Sequence, residues 1–201
     1  MTTDATTPAL GFAPELLLRA QGIRAVLLDV DGVCTDGGIY FSAEGEALKR
    51  FHTLDGHGLK LLRQAGIVPV VISGRDSDAL RRRLGTLGIE HCLLGVADKL
   101  PAAQRLLDQL GLTWRQCAAM GDDWPDLPLL ARAALACAPP NAQAEVRARV
   151  HHITAAPGGA GAVRELCDLL LIAGGHYHRL LAAQLSGGSD AAAAADNATT
   201  P

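Results

Sequence analysis

The feature that most constrains this chain is an apolar segment that ends in two aspartates. Residues 23–28 are apolar apart from one arginine, and the segment Asp29-Val-Asp31-Gly follows directly. A run of this kind is typical of a strand that is buried on both faces in a parallel sheet. The two aspartates are two positions apart, so their side chains would lie on the same side of the strand end. Ligands of open α/β sheets bind at that end, although an Asp-Gly pair by itself more often marks a plain turn.

Apolar strands and helical stretches alternate along the rest of the chain. We predict further strands at residues 67–72, 90–94, 117–120, 134–138 and 152–154. We predict helices at residues 14–20, 55–64, 76–87, 98–110, 126–132, 142–149 and 161–172, and a β-hairpin within residues 37–52. This alternation predicts an α/β fold, a doubly wound, Rossmann-like parallel sheet with a small β-hairpin insertion. We expect one domain over residues 14–184, between a disordered N-terminus (1–13) and a disordered low-complexity tail (185–201).

Composition and charge exclude several classes of function. The 201 residues carry a formal net charge of −3 at pH 7, which gives no basic surface for nucleic acid. No apolar run is long enough to span a bilayer, and residues 1–8 lack the charged and apolar regions of a signal peptide. The five cysteines are scattered without a Cys-x-x-Cys pair. We therefore expect free thiols, no structural zinc and a cytoplasmic location.

Three predicted strands end in polar signatures that should meet at one edge of the sheet. The signatures are Asp29-x-Asp31, Ser73-Gly74-Arg75 and Gly121-Asp122-Asp123, and Lys99 lies near the start of a helix between the last two. Four carboxylates at one place would repel each other and raise one another's pKa values. A hard cation among them would relieve that repulsion, and an oxygen-only ligand set with room for water suits Mg²⁺.

These motifs, in this order over residues 23–126, make the chain similar to the haloacid dehalogenase superfamily of aspartate-nucleophile phosphatases. The resemblance implies that Asp29 is the nucleophile, which attacks phosphorus and becomes an aspartyl-phosphate. It implies that Asp31 is the general acid and then the general base. Ser73 would donate a hydrogen bond to a phosphoryl oxygen, and Lys99 would neutralise the phosphoryl charge and orient the nucleophile.

The same resemblance implies a Mg²⁺ site. The ion would be held by Asp29, the backbone carbonyl of Asp31, and Asp122, with Asp123 in support. These roles agree with elementary chemistry, because a carboxylate attacks an anionic phosphate poorly unless the charges are shielded. A covalent intermediate also divides one difficult displacement into two easier ones.

The spacing of the motifs leaves no room for a cap domain. Asp31 and Ser73 lie 42 positions apart, and Ser73 and Asp122 lie 49 apart, enough only for the hairpin and ordinary α/β elements. A capless site of this kind acts on a large substrate or uses a neighbouring subunit as its lid. The apolar hairpin residues 39–41 suit an oligomer contact.

The capless pattern narrows the resemblance to phosphatases of 3-deoxy-D-manno-octulosonate (KDO) 8-phosphate. The similarity covers residues 23–172 and is carried by Asp29-Val-Asp-Gly-Val-Cys-Thr-Asp-Gly, Lys49-Arg-Phe-His-Thr-Leu-Asp-Gly-His-Gly-Leu, Ile72-Ser-Gly-Arg, Asp98-Lys, Gly121-Asp-Asp and Gly158-Gly-Ala-Gly-Ala-Val-Arg-Glu. It implies a homotetramer whose hairpins line the neighbour's active site, acting in lipopolysaccharide sugar biosynthesis. It also implies that the substrate contacts include Thr35, Lys49, Asp55 and Arg75.

The chain departs from that family at the start of the second helix. Leu54 stands where a basic residue is usual, and His52 replaces the familiar asparagine. A pocket with one cation fewer would suit another sugar phosphate, such as a nine-carbon sugar-acid 9-phosphate. The other alternative is a catalytically silent scaffold on the same fold, but a scaffold would not need the intact site residues. We interpret Cys34 as a packing residue.

Other residues that suggest chemistry are better explained by ordinary roles. The histidines at 151–152 and at 176 and 178 have no carboxylate at a useful spacing, so surface or capping positions are favoured over a zinc site. The run at 81–83 is interpreted as a solvated helix face. For Arg164 and Glu165, a helix surface and the mouth of the active site are equally supported.

Overall fold

The computed structural model describes residues 8–186, and this range contains two sheets. The strands of the larger sheet are β1 (Ala25–Leu28), β4 (Val68–Ile72), β5 (His91–Leu93), β6 (Cys117–Met120), β7 (Leu135–Ala138) and β8 (His152–Ile153). They are parallel and lie in the order β5-β4-β1-β6-β7-β8. The smaller sheet is an antiparallel hairpin of β2 (Tyr40–Ser42) and β3 (Gly45–Leu48). β1 therefore lies inside the parallel sheet, between β4 and β6.

Helices cover both faces of the parallel sheet. They are α1 (Pro14–Ala20), α2 (Thr53–Gln64), α3 (Asp78–Leu87), α4 (Lys99–Leu110), α5 (Leu127–Leu130), α6 (Ala144–Arg147), α7 (Ala162–Ala173) and α8 (Tyr177–Leu185), with 3₁₀ turns at Trp114–Gln116 and Trp124–Asp126. One core joins the sheet to α1, α2, α3, α7 and α8, and another joins it to α4, α5 and α6. The predicted doubly wound α/β fold with a hairpin is confirmed. No cap domain is present among residues 8–186, since only the hairpin stands between β1 and α2.

The central strands consist of small and aliphatic side chains that are removed from water on both faces. All residues of β1, β6 and β7 are buried, which explains their uninterrupted apolar runs in the sequence. Asp98 and Ser77 begin α4 and α3 by accepting hydrogen bonds from backbone N–H groups. Gly111 and Gly88 end these two helices in the left-handed conformation. These capping residues determine where α3 and α4 begin and end.

The structure corrects the sequence prediction in its C-terminal half. No helix is predicted after residue 172, but α8 follows α7 and contributes Leu180 to the core. Leu180 is the only buried residue of α8, so the sequence of this helix shows only a weak apolar pattern. The helices predicted at 126–132 and 142–149 are each only four residues long.

The predicted disorder and domain boundaries fall mostly on residues outside the described range, so they stay predictions. Within that range, Phe12 contacts the core and the ring of His152, although residues 1–13 are predicted to be disordered. The last helix ends at Leu185, next to the predicted boundary at 184. Among residues 8–186, every helix is too short or too polar to cross a membrane.

Candidate active site

Polar loops meet at the carboxyl ends of the three central strands. Asp29 and Asp31 follow β1, Ser73 follows β4, and Asp122 follows β6. Lys99 is the first residue of α4, and its ammonium group contacts Asp29. The predicted groups therefore lie along one edge of the sheet, because parallel strands end on the same side.

Lys99 joins two carboxylates at the centre of the site. Its Nζ lies 2.5 Å from Asp29 Oδ1 and 2.7 Å from Asp126 Oδ1. Burial alone would lower the pKa of Lys99, but Asp126 and Asp29 outweigh burial and hold that pKa above its ordinary value. Lys99 is therefore a fixed positive charge beside Asp29.

Asp126 is a site residue that the sequence reasoning does not identify. Its Oδ2 accepts hydrogen bonds from the backbone N–H groups of Asp122 and Asp123, at 3.1 and 3.3 Å. The same carboxylate therefore holds both Lys99 and the loop after β6. Asp126 can lie this close to the backbone of the loop because residue 121 is glycine. A Cβ at Gly121 would lie 2.3 Å from Asp126 Cβ. The available signal was a third aspartate shortly after Asp122-Asp123, but it falls at the start of a predicted helix.

Three carboxylates form a cluster that fits a metal ion. Asp29, Asp122 and Asp126 each offer one oxygen, and these atoms lie within 4.8 Å of one another. Burial, with the neighbouring carboxylates, raises the pKa of Asp29 to about 6 and that of Asp122 to about 8. Asp122 Oδ1 is buried without a hydrogen-bond partner among residues 8–186. A hard cation would supply that partner and offset the repulsion, so the donor set suits Mg²⁺.

The other predicted metal ligands have different surroundings. The Asp31 side chain pairs with two cations, and its carboxylate is not part of the cluster. Asp123 is exposed, and its carboxylate accepts a hydrogen bond from the backbone N–H of Trp124 at 2.8 Å. Ligation by the Asp31 backbone carbonyl and support by Asp123 stay predictions.

Asp31 lies between the hairpin and the loop after β4. Lys49, which follows β3 directly, places its Nζ 2.5 Å from Asp31 Oδ1. Arg75 Nε lies 3.6 Å from Asp31 Oδ2. The buried Ser73 hydroxyl accepts a hydrogen bond from the backbone N–H of Arg75 at 3.1 Å. Of the four predicted substrate contacts, Lys49 and Arg75 are therefore brought to the site.

Thr35 and Asp55, the other two predicted substrate contacts, make hydrogen bonds within the chain. The buried Thr35 hydroxyl donates to Val30 O and accepts from the N–H of Gly32, so it stabilises the loop after β1. Asp55 is 4% exposed, and its Oδ1 accepts a hydrogen bond from the N–H of Arg164 at the start of α7. Both side chains hold backbone segments together. Substrate contact by Thr35 or Asp55 stays a prediction.

The loop after β8 lies directly against the loop after β1. A Cβ at Gly158 would lie 1.8 Å from Gly32 O, so only glycine allows this approach. Asn141 bridges the two loops, because its Nδ2 donates to Gly32 O at 2.9 Å and its Oδ1 accepts from Gly158 N at 2.8 Å. Gly32 has a positive φ of 96°, and a Cβ there would lie 2.1 Å from Asp122 Oδ2. Asn141, which the sequence analysis does not single out, therefore positions the backbone beside the carboxylates.

Glu165 fixes the remainder of the loop after β8. Its carboxylate accepts hydrogen bonds from two successive backbone N–H groups of that loop and lies 2.9 Å from His152 Nε2. The expectation that His152 has no carboxylate partner is wrong, because the fold brings α7 alongside β8. Arg164 pairs with Asp168 of the same helix at 2.8 Å. Both residues of the Arg164-Glu165 pair therefore have structural partners.

Known hydrolases match this chain in sequence. A family model of haloacid dehalogenase-like hydrolases matches residues 94–166. The 3-deoxy-D-manno-octulosonate 8-phosphate phosphatase KdsC of Haemophilus influenzae is 44% identical over 155 residues, which cover 77% of this chain and 86% of the relative.

Solved structures share the fold. A probable YrbI family phosphatase from Pseudomonas syringae has a TM-score of 0.85 at 43% identity, covering 87% of this chain and 99% of the other. A 3-deoxy-D-manno-octulosonate 8-phosphate phosphatase from Moraxella catarrhalis, in complex with magnesium, phosphate and KDO, has a TM-score of 0.83 at 39% identity, covering 86% of this chain and 99% of the other. The chain therefore belongs to the 3-deoxy-D-manno-octulosonate 8-phosphate phosphatases among the haloacid dehalogenase-like hydrolases.

Proposed function

We propose that this phosphatase depends on Mg²⁺ and releases phosphate from KDO 8-phosphate in lipopolysaccharide sugar biosynthesis. The observation that carries the proposal is the position of Asp29, which contacts Lys99 and belongs to the three-carboxylate cluster at the strand ends. The substrate is supported by the names of the H. influenzae and M. catarrhalis proteins. Magnesium is supported by the M. catarrhalis complex and by the oxygen-only cluster.

In the first step, a carboxylate oxygen of Asp29 attacks phosphorus, and the bond between phosphorus and the sugar oxygen breaks. Asp31 enters this step protonated and gives its proton to the leaving oxygen, so the sugar departs as an alcohol. Asp29 then carries the phosphoryl group as an aspartyl-phosphate, and Lys99 offsets the negative charge. Mg²⁺, when held by the Asp29 and Asp122 carboxylates, supplies the shielding that lets a carboxylate approach an anionic phosphate.

In the second step, Asp31 is ionised and accepts a proton from a water molecule. The water oxygen attacks phosphorus, and the bond between phosphorus and the Asp29 oxygen breaks. Inorganic phosphate leaves, and Asp29 is restored as a carboxylate. Lys49 and Arg75 hold the Asp31 side chain in place during both proton transfers.

We also propose a homotetramer in which the hairpin completes the neighbouring active site. Tyr40, Phe41 and Leu48 on the hairpin are 51%, 69% and 64% exposed. A two-stranded hairpin is marginally stable alone, and an exposed apolar cluster marks a contact surface. Lys49 links this surface to Asp31, so docking of the hairpin would act on the site. A cytoplasmic location is supported by five cysteines that are all free thiols.

Leu54 supports an alternative substrate. It is 52% exposed on the first turn of α2, where it offers an apolar surface instead of the basic residue that the family resemblance leads us to expect. A nine-carbon sugar-acid 9-phosphate would then be preferred, with the same chemistry at phosphorus.

Phosphate release with Mg²⁺ tests the substrate on a panel of eight- and nine-carbon sugar-acid phosphates and simple hexose phosphates. We expect the highest kcat/KM for KDO 8-phosphate. Preference for a nine-carbon member would keep the mechanism and replace the substrate. Absence of release from every member by a protein that binds Mg²⁺ would favour the silent scaffold.

Asp29→Asn tests the mechanism. We expect it to abolish turnover and leave the fold intact, because the amide lacks the charge of the nucleophile. Asp108→Asn, an exposed carboxylate on α4, is the matched control and should keep full activity. Turnover by Asp29→Asn would exclude the covalent intermediate, and full activity in EDTA would exclude the metal.

A further inference from the structure

The ammonium group of Lys49 lies between two carboxylates. The Lys49 side chain is completely buried, and its Nζ lies 2.5 Å from Asp31 Oδ1 and 3.1 Å from Glu46 Oε1. Glu46 belongs to β3, and Lys49 follows that strand directly. Charge-assisted contacts of this length are strong, so both carboxylates set the position of the ammonium group. Asp31 has a role in the proposed mechanism, whereas Glu46 has none so far.

The Glu46 carboxylate is itself fixed in place. Its side chain is 13% exposed, and apart from the Lys49 ammonium its buried Oε1 has no hydrogen-bond partner among residues 8–186. Ser77, at the start of α3, hydrogen-bonds the same carboxylate. Burial raises the pKa of Glu46, but the hydrogen bonds from Ser77 and Lys49 and the charges of Lys49 and Arg75 outweigh burial and hold this pKa below its ordinary value. Glu46 is therefore a fixed negative charge beside Lys49.

Glu46 and Asp31 are neighbours of the same two cations. Lys49 lies between them, and Arg75, whose charge acts on Glu46, places its Nε 3.6 Å from Asp31 Oδ2. A lysine ammonium is a point charge on a flexible stem, so its position depends on the groups that hold it. Without Glu46, the buried ammonium of Lys49 would be held by Asp31 alone, the group that it has to keep in place.

We propose that Glu46 is a positioning residue, which holds the Lys49 ammonium against Asp31 and so keeps the Asp31 carboxyl group aligned with the leaving oxygen. Glu46 acts through Lys49. Its effect on catalysis rests on the proposed function, because it requires Asp31 as general acid, whereas its effect on the position of Lys49 does not.

Two leaving groups separate this role from general support of the site. The sugar oxygen must receive a proton from Asp31 as it departs, whereas the nitrophenolate of p-nitrophenyl phosphate is a weak base that departs without one. We expect Glu46→Gln to lower kcat/KM for the preferred sugar phosphate by about tenfold, a part of the about 10²–10⁴-fold that general acid–base catalysis contributes. For p-nitrophenyl phosphate, kcat/KM should stay within about twofold of the native value, which also shows that the variant is folded.

Glu90→Gln is the matched control. Glu90 is an exposed glutamate just before β5, at the opposite end of the sheet from the site, and its Oε1 lies 3.7 Å from Arg63 Nη2. This variant should keep native kcat/KM on both substrates. An equal loss on both substrates in Glu46→Gln would overturn the proposal, and so would native kcat/KM on both. If Glu46→Gln does not fold, Glu46→Asp applies the same test, because it keeps the charge but withdraws it by one methylene.

A double variant tests whether Glu46 acts through Lys49. Lys49→Met removes the ammonium group and keeps the length of the side chain. Residues that act through one contact have non-additive effects, so Glu46→Gln should cause no further loss of kcat/KM for the sugar phosphate in a Lys49→Met protein. A further tenfold loss in the double variant would overturn the proposal.

Crystal structures of the native protein and of Glu46→Gln provide a readout that does not depend on activity. We expect Lys49 Nζ within hydrogen-bond distance of Asp31 in the native protein and beyond it in the variant. An unchanged position of Lys49 in the variant would overturn the proposal. A native protein that hydrolyses neither the sugar phosphates nor p-nitrophenyl phosphate would refute the proposed function, and the two structures would still decide whether Glu46 holds Lys49.

Discussion

Replacement of Asp126 by asparagine should disable the site even though the side chain keeps its size. Both carboxylate oxygens of Asp126 accept hydrogen bonds, Oδ1 from Lys99 and Oδ2 from two backbone N–H groups. An amide offers one accepting oxygen and one donating NH₂ group. Whichever way the amide turns, its NH₂ group therefore faces another donor.

In Asp126→Asn, lost hydrogen bonds and ion pairs lower the free energy of unfolding, and relief of carboxylate repulsion raises it. An unsatisfied buried donor costs about 1–3 kcal/mol, and removal of one partner of a buried ion pair costs about 3–5 kcal/mol. Asp126→Asn also removes the repulsion that the Asp126 carboxylate exerts on Asp29 and Asp122. In the metal-free protein this gain offsets part of the cost, so we expect the free energy of unfolding to fall by about 1–3 kcal/mol. At about 2–4 °C per kcal/mol for a chain of this size, we expect Tm to fall by about 2–12 °C. With Mg²⁺ in place less repulsion remains to be relieved, and the fall in Tm should be larger.

Thermal melts with and without Mg²⁺ and phosphate-release kinetics measure these effects. We expect kcat/KM to fall by about 100-fold, because Lys99 is no longer held against Asp29. Asp123→Asn is the matched control for Tm, since its exposed carboxylate contributes one helix-capping bond worth about 1 kcal/mol. Native activity and an unchanged Tm in Asp126→Asn would refute this account of the site.

Metal binding, loop packing and assembly each allow a further test. In the metal-free protein the pKa values of Asp29 and Asp122 are raised to about 6 and 8, so their protonated forms stabilise the fold. This stabilisation is complete below the ordinary pKa of 3.8 and is lost as the pH rises through 6 and 8. Between pH 6 and 8 Mg²⁺ must displace the proton on Asp122, so its affinity by calorimetry should rise by up to about tenfold per pH unit there, and a constant affinity would contradict the assignment. Gly158→Ala would place a methyl carbon 1.8 Å from a carbonyl oxygen of the loop after β1, so we expect this variant to have little activity. The control Gly85→Ala, which has open space around the new methyl group, should keep native activity. An active Gly158→Ala enzyme would disprove the close contact between the two loops. Phe41→Asp should produce smaller species in sedimentation and lower kcat/KM, and a native protein that sediments as a monomer would refute the proposed assembly.

The strand ends could be predicted from the sequence because local signals dominate there. β1 and β6 are fully buried runs of apolar residues, and each is followed at once by aspartates. In a parallel sheet such ends lie on one side, so the sequence predicts that Asp29 and Asp122 are close to each other, with Lys99 nearby at the start of a helix.

The contacts that could not be predicted join segments far apart in the chain. Asn141 bonds to Gly32 and Gly158, and neither pairing leaves a periodic signal in the sequence. Asp55 resembles a binding residue by motif, but the packing of α2 against α7 uses its carboxylate for a backbone N–H. A motif specifies residue types, whereas the use of a polar side chain depends on which donors the fold brings to it.

The central position of β1 also has a consequence for how this protein becomes active during synthesis. Ala25 of β1 pairs with Val68 and with Cys117, so about 90 residues separate β1 from its later partner. The loop after β1 also accepts a hydrogen bond at Val33 O from the N–H of Gly159, so this contact forms only when the loop after β8 is in place. Pairings of such long range form slowly, and they cannot form while their partners are still in the ribosome. Nascent chains that stop short of the loop after β8 should therefore be inactive, and they should expose the apolar edges of an incomplete sheet to chaperones.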